Sequence, residues 1–88
     1  EIENLTGRIR KSATSLPLCI MEGINRKEEV ELKKFLAKCR GYIEELRYYL
    51  ILANDLQYAN TNQLLTELED LNSLIINHFR TLINQKKE

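Results

Sequence analysis

Apolar side chains recur with helical periodicity along almost the whole chain. In the middle of the sequence they alternate steps of four and three, at Leu32, Leu36, Cys39, Ile43, Leu46, Leu50 and Ala53. A second set widens this stripe at steps of seven, at Phe35, Tyr42, Tyr49 and Leu56. Such a stripe is typical of a helix that packs against other helices. It predicts a helix over about 26–56, with Asn25 as its N-cap and Glu28 completing a capping box.

The C-terminal part of the chain carries a similar stripe. Its members are Leu64, Leu68, Leu71, Ile75, Phe79, Leu82 and Ile83. They predict a helix over about 61–86, with Asn60 as its cap and Gln63 three residues further on. Lys86 and Lys87 lie near its end, where cations suit the helix dipole. Because the link to the preceding helix is short, the two helices should be antiparallel neighbours.

The N-terminal segment is apolar on one face but contains a proline. Its row is Leu5, Ile9, Ala13, Leu16 and Ile20. Pro17 lacks the N–H that would bond the carbonyl of residue 13, which costs about 3 kcal/mol in a helix interior. Since the row keeps its face across Pro17, we predict one helix over about 2–22, kinked at 15–17 and ended by a left-handed Gly23. A break into two helices is the alternative. The hydroxyls available to the freed carbonyl belong to Ser12, Thr14 and Ser15.

The middle helix has a second apolar face, opposite Ile43. It consists of Ala37, Gly41, Tyr48 and Leu52, with Ile51 close by. Two small residues allow another helix to approach closely. We interpret this row as an oligomer interface or as a contact with a further N-terminal helix; a solvated face is the alternative.

Length and composition are consistent with one helical domain over residues 1–88. Hydrophobic residues make up 43% and charged residues 30% of the chain, which excludes a disordered polymer. The limited core favours self-association. No apolar run reaches the roughly 20 residues that span a bilayer, and no signal peptide is visible, so we expect no membrane partner. Cys19 and Cys39 lack metal-site spacing and are predicted to be buried free thiols in a reducing cytoplasm.

Charge is distributed unevenly although the formal net charge is zero. Residues 8–40 contain nine Lys or Arg against four Glu, and residues 41–88 contain four against seven acidic residues. A basic surface could bind RNA or DNA backbone by counterion release, with strong salt dependence. The candidates are Arg8, Lys11, Arg26, Lys27, Lys33, Lys34 and Lys38. The alternative is a solvated surface that the interleaved Glu28, Glu29 and Glu31 neutralise.

Residues that could carry catalysis are scarce. The chain has one histidine, His78, at the edge of the last stripe, and no second histidine or paired cysteine at ligand spacing. Cys39 on an apolar face is a poor nucleophile candidate, and three glycines are too few for a phosphate-binding loop. We therefore expect no enzyme activity, no cofactor and no metal.

Two stretches resemble a known bacterial family. The sequence RIRKSATSLPLCIMEGINR, followed by EVELKKFLAKCRGYIEELRYYLILANDLQY, resembles the 23S rRNA-intervening-sequence proteins over about residues 5–58. The most specific part is Ser-x-Pro-x-x-Ile-x-Glu-Gly. The positions that match the family's pattern are Ile9, Arg10, Ser15, Pro17, Ile20, Glu22, Gly23, Phe35, Leu36, Gly41, Glu45, Leu46 and Tyr58. The chain departs from that pattern where Cys19 replaces Asn, Met21 replaces Ala and Gln57 replaces Gly.

The resemblance implies an up-down four-helix bundle with a further N-terminal helix. It also implies a ring-like homo-oligomer, often a pentamer, without an established enzyme activity. Distant relatives of the family act as accessory factors of retroelement reverse transcriptases, where they bind the polymerase and nucleic acid. Our hypothesis is an oligomeric adaptor or scaffold for a protein or ribonucleoprotein partner. The alternative is direct, weakly selective nucleic-acid binding.

Overall fold

The computed structural model describes residues 2–86 and shows an all-α, up-down antiparallel bundle. Helix α1 spans Ile2–Ile24, α2 spans Glu29–Asp55 and α3 spans Asn62–Lys86. The predicted fold class is confirmed, and the predicted helix bounds agree to within three residues. A fourth, N-terminal helix stays an expectation of the family resemblance. Across residues 2–86, none of the helices is long and apolar enough to cross a bilayer.

The core lies along α2, which packs against both other helices. Helices α1 and α3 contact each other far less than either contacts α2. Most of the predicted α2 stripe forms the core: its buried members are Leu32, Phe35, Cys39, Ile43, Leu46, Leu50 and Ala53. Three of its other members are half-buried, and the last is exposed: Leu36, Tyr42 and Tyr49, and Leu56 respectively. Helices α1 and α3 cover it with Leu16, Cys19, Leu68, Ile75, Phe79 and Ile83. Fully burying an aliphatic side chain of this size stabilises the fold by about 1.5–3 kcal/mol.

Helix α1 is continuous across Pro17, so the alternative of two separate helices is wrong. Its apolar row provides the reason, because packing of Leu16 and Cys19 against α2 holds both sides of the proline in register. Two predicted hydroxyl partners bond elsewhere: Thr14 donates to the carbonyl of Arg10 at 2.7 Å, and the Ser12 hydroxyl donates to a carboxylate of α2. The kink itself stays a prediction.

The end of α1 differs from the prediction. Gly23 has no left-handed φ and lies inside the helix, which continues to Ile24. The Asn25 amide donates to the carbonyl of Met21 at 3.0 Å, so Asn25 completes the end of α1 instead of capping α2. The N-cap of α2 is Glu28, in extended backbone conformation and without a side-chain capping bond. The predicted capping box is therefore wrong.

Gly23 instead lies at a close approach of α1 to both other helices. A Cβ atom there would lie 2.7 Å from the Phe35 Cβ on α2 and 2.7 Å from the Phe79 Cζ on α3. Both phenylalanines are buried. Gly23 is needed because any larger side chain would overlap two helices at once.

The end of α2 is closed by backbone bonds around a left-handed residue. Gln57 has a φ of 62°. The N–H of Tyr58 donates to the carbonyl of Ala53 at 3.0 Å, and the N–H of Gln57 donates to the carbonyl of Asn54 at 3.0 Å. These two bonds form a Schellman motif, in which the left-handed residue is usually glycine. Gln57 is the position at which the resembled family has glycine.

The following turn is fixed by Thr61 and Asn60. The Thr61 side chain is buried, and its hydroxyl donates to the carbonyl of Leu50 on α2 at 2.6 Å. The Asn60 side chain accepts a bond from the N–H of Asn62 at 3.1 Å. The first helical bond of α3, however, runs from the N–H of Leu65 to the carbonyl of Thr61 at 2.9 Å, so the N-cap is Thr61 and not, as predicted, Asn60. Lys86 lies in the last turn of α3, whereas Lys87 lies outside the described residues.

Candidate functional site

The predicted interface row on α2 is not covered by the chain's own helices. Ala37, Gly41 and Tyr48 are exposed, and Leu52 is half-buried. A Cβ atom at Gly41 would meet nothing within 4 Å. Because α1 and α3 leave most of this side free, the row can contact another chain or a further helix, and both interpretations stay predictions.

A groove runs along the seam between α1 and α2 and shares Tyr48 and Leu52 with this row. It consists of three adjoining cavities of about 540, 640 and 170 Å³. Neighbouring cavities share wall residues: Asn4, Arg8 and Tyr49 at one junction, and Ser15 and Tyr42 at the other. All four tyrosines of the chain line it, namely Tyr42, Tyr48, Tyr49 and Tyr58. We call this feature the tyrosine groove.

Hydrogen bonds hold the walls of the tyrosine groove in place. The Arg8 guanidinium donates to the Tyr49 hydroxyl at 3.3 Å, and this bond raises the pKa of Arg8 above its usual value. The buried Ser12 hydroxyl donates to Glu45 Oε2 at 2.9 Å and ties α1 to α2. The rings of Tyr48 and Tyr49 meet edge to face with centroids 5.5 Å apart. The groove is therefore preformed, with aromatic and charged groups side by side.

The seven predicted nucleic-acid-binding residues are all exposed, but the structure separates them into groups. Arg8 and Lys11 line the middle of the tyrosine groove, and Lys38 lines its upper end. Arg26 and Lys38 both lie over the Phe35 ring, 4.9 and 5.2 Å from its centroid. The remaining candidates, Lys27, Lys33 and Lys34, are on the exposed surface near the α1–α2 turn.

Acidic groups lie among these cations. Lys33 pairs with Glu29 at 3.8 Å on α2. Glu3, Glu22 and Glu45 line the tyrosine groove together with Arg8, Lys11 and Lys38. The groove therefore has mixed charge, which suits the binding of a protein surface at least as well as the binding of a polyanion.

Helix α3 exposes three leucines that neither neighbouring helix covers. Leu64 is 52%, Leu71 is 38% and Leu74 is 67% exposed. Leu64 and Leu71 belong to the predicted α3 stripe but are not buried, because only α2 packs extensively on α3 and the stripe is wider than that contact. Steps of seven and three place the leucines on one side of the helix. We call them the leucine row; the acidic residues nearest to it, Glu67 and Asp70, are exposed.

The two cysteines are free and buried, as predicted. Burial, and a hydrogen bond with the Cys19 thiol, raise the pKa of Cys39 to about 12. The Cys19 thiol also lies 3.9 Å from the carbonyl oxygen of Phe35. Because only the thiolate is an effective nucleophile, Cys39 is unreactive at neutral pH. His78 is exposed on α3, and residues 2–86 contain no group of three His, Cys, Asp or Glu side chains that could hold a metal ion.

Comparison with known proteins gives one family. The family model described as 23S rRNA-intervening sequence protein matches residues 1–77. No curated protein and no solved structure matches the chain significantly.

Proposed function

The chain belongs to the 23S rRNA-intervening sequence protein family, and from this premise we propose that it is a non-enzymatic, homo-oligomeric scaffold for a protein or ribonucleoprotein partner. Its role is to present several copies of one binding surface. The observation that carries this proposal is the amount of apolar surface that the single chain leaves uncovered.

Apolar side chains are exposed on every helix. They include Met21 on α1, Tyr48 on α2 and Leu74 on α3, each more than 60% exposed. Single exposed apolar residues are ordinary, but contiguous apolar patches mark interaction sites. Tyrosine is enriched at protein interfaces, where its ring is buried and its hydroxyl remains bonded. The tyrosine groove beside the α2 row supports such a contact.

A binding role also fits the chemistry of the buried groups. Cys39, protonated at neutral pH, is not poised for attack. Ser12 donates its hydroxyl to Glu45 as a bond between helices, and the Ser12 side chain is buried away from solvent. These arrangements stabilise the bundle, and they support our proposal that the protein binds partners without catalysing a reaction.

Light scattering coupled to size-exclusion chromatography tests the proposal. We expect a mass that is a multiple of the 10.4 kDa chain. Ala37→Glu places a charge in the α2 row and should lower the mass, whereas Ala59→Glu in the exposed α2–α3 turn should not. A monodisperse monomer for the unmodified chain would contradict an oligomeric scaffold.

A second candidate function is direct nucleic-acid binding. It is favoured by the position of Lys38, which lies over the Phe35 ring beside Arg26 and also borders the tyrosine groove. Basic groups next to aromatic rings can bind a single strand through phosphate contacts and base stacking.

Filter binding of a single-stranded RNA at two salt concentrations tests this second candidate. Lys38→Gln should weaken binding and reduce the slope of log K against log salt by about 0.7 if it contacts one phosphate. Lys86→Gln, at the far end of α3, is the matched control. Absence of RNA retention at low salt would rule out this function and leave the scaffold.

A further inference from the structure

The two cysteines meet in the core, at the seam between α1 and α2. Cys19 on α1 and Cys39 on α2 belong to one cluster of buried side chains, and both are free thiols. We propose that they form a redox pair, in which a small neutral peroxide oxidises Cys19 and Cys39 then closes a disulfide that locks α1 to α2. This inference goes beyond the scaffold function and does not depend on it.

The position of the Cys19 sulfur places the two thiols next to each other. The Cys19 Sγ lies 3.9 Å from the carbonyl oxygen of Phe35 on α2. Cys39 is four residues after Phe35 in the same helix, so its side chain lies one turn further along on the same side of α2. Burial raises the pKa of Cys39, and so does the neighbouring Cys19 thiol. A disulfide across this seam therefore joins two side chains that are already adjacent.

Cys19 is the thiol that a reagent in solution can reach. It lines the cavity of about 170 Å³ at the upper end of the tyrosine groove, whereas the Cys39 side chain is fully buried. Lys38 and Glu22 line the same cavity, so its wall carries both charges and favours no ion of either sign. A water molecule occupies about 30 Å³ in the liquid, so a neutral molecule as small as hydrogen peroxide fits this space. Cys19 is therefore the first thiol to react.

The oxidation takes two steps, with peroxide as the electron acceptor. The Cys19 thiolate attacks one peroxide oxygen, the O–O bond breaks, and the leaving hydroxide takes up the proton that the thiol released, which gives water and a Cys19 sulfenic acid. The Cys39 sulfur then attacks the sulfenic sulfur, the S–O bond breaks, and the hydroxyl group leaves with the Cys39 proton as a second water. One peroxide is reduced to two waters, and two thiols are oxidised to one disulfide.

Proximity offsets the low acidity of the Cys39 thiol. With a pKa of about 12, only about one Cys39 side chain in 10⁵ is a thiolate at pH 7. Groups that are held in reacting position have effective molarities of about 10⁵–10⁸ M, which is enough to compensate for that fraction. An alkylating reagent in solution has no such advantage. Cys39 is therefore slow toward iodoacetamide and still able to react with an oxidised Cys19 beside it.

The disulfide changes how firmly α1 is held. In the reduced protein, packing and hydrogen bonds such as that from Ser12 to Glu45 hold α1 on α2. Cys19 and Cys39 are 20 residues apart, and a cross-link over a loop of this length restricts the unfolded chain. The oxidised protein should therefore have a Tm about 10 °C above that of the reduced protein.

Treatment of the full chain with hydrogen peroxide, followed by peptide mapping without reducing agent, tests the proposal. We expect a peptide pair linked through Cys19 and Cys39, no free thiol after denaturation, and the higher Tm, and dithiothreitol should reverse all three. The map separates this product from sulfoxide on the exposed Met21, which consumes no thiol.

Four results would overturn the proposal. They are two thiols that stay free, a disulfide between two chains, sulfinic acid on Cys19 without a disulfide, and a mapped disulfide without a higher Tm. The light-scattering mass of the reduced protein tests the scaffold function separately, so either idea can fail while the other stands.

Two variants test the order of the steps. Cys39→Ala leaves Cys19 without a partner, so peroxide should give a sulfenic acid that dimedone traps on Cys19. Cys19→Ala leaves only the buried thiol, and Cys39 should stay reduced under the same conditions. Far-UV circular dichroism checks that both variants keep the helical fold; if either unfolds, the peptide map of the unmodified chain decides alone. Dimedone labelling of Cys39 as fast as that of Cys19 would overturn the assigned order.

Discussion

Replacing Gly23 with alanine is the sharpest test of how the helices are held together. Alanine favours a helix interior by about 1 kcal/mol over glycine, so propensity alone predicts a more stable protein. The new Cβ would, however, lie 2.7 Å from both the Phe35 Cβ and the Phe79 Cζ, whereas carbon atoms in contact are usually about 3.5–4.0 Å apart.

The steric effect should exceed the propensity gain. The Phe35 Cβ is fixed to the α2 backbone and cannot rotate away, and Phe79 is fully buried. Overpacking of this kind costs about 1–3 kcal/mol, and two helices would have to move here, which places the cost near the upper value. We expect Gly23→Ala to lower the free energy of unfolding by about 2 kcal/mol, or Tm by roughly 8–16 °C in a domain of this size.

Gly7 provides the matched control. A Cβ at Gly7 would meet nothing within 4 Å, and Gly7 lies in the interior of α1. Gly7→Ala should raise the free energy of unfolding by about 0.5–1 kcal/mol. Urea unfolding followed by circular dichroism, at one protein concentration for both variants, measures the two changes. A Gly23→Ala protein as stable as Gly7→Ala would refute the close helix approach.

Three further predictions concern turns and the buried thiol. Gln57→Gly should raise the free energy of unfolding by about 0.5–1 kcal/mol, because glycine adopts the φ of 62° without strain; Gln57→Ala should give no such gain in the same urea titration. Thr61→Val should lower the free energy of unfolding by about 1 kcal/mol, since the hydrogen bond to the Leu50 carbonyl is lost. A Thr61→Val protein as stable as the unmodified chain would contradict that bond. Cys39, with a pKa of about 12 when folded against 9.0 normally, should resist iodoacetamide in the native protein. The contribution of the Cys39 thiol to the free energy of unfolding is complete below pH 9.0 and falls as the pH rises toward 12. Rapid alkylation of Cys39 in the native protein at neutral pH would contradict its burial.

The core positions of α2 are predictable from the sequence because two helices pack against α2. Helices α1 and α3 both pack on α2, so six of the seven positions from Leu32 to Ala53 that repeat at four and three are buried, and the seventh, Leu36, is half-buried. In α3 the same reasoning fails at Leu64 and Leu71, because periodicity reports the width of an apolar stripe but not how many helices cover it. The missing information is the position of a neighbour.

Helix ends depend on choices that local sequence leaves open. Asn25 can accept a bond at a helix start or donate one at a helix end, and here its amide donates to α1. Gly23 fits both a left-handed cap and a close contact, and the approach of Phe35 from α2 and of Phe79 from α3 selects the contact. The tyrosine groove could not be predicted from the sequence either. Tyr42 and Tyr49 repeat like core residues but lie where α1 leaves the seam open.

Helix α2 packs against both other helices, whereas α1 and α3 contact each other far less than either contacts α2. The Phe79 ring of α3 nevertheless lies against Gly23 of α1, so the three helices share one core. Amide hydrogens of α2 should therefore exchange last, because loosening of either outer helix still leaves α2 packed against the other.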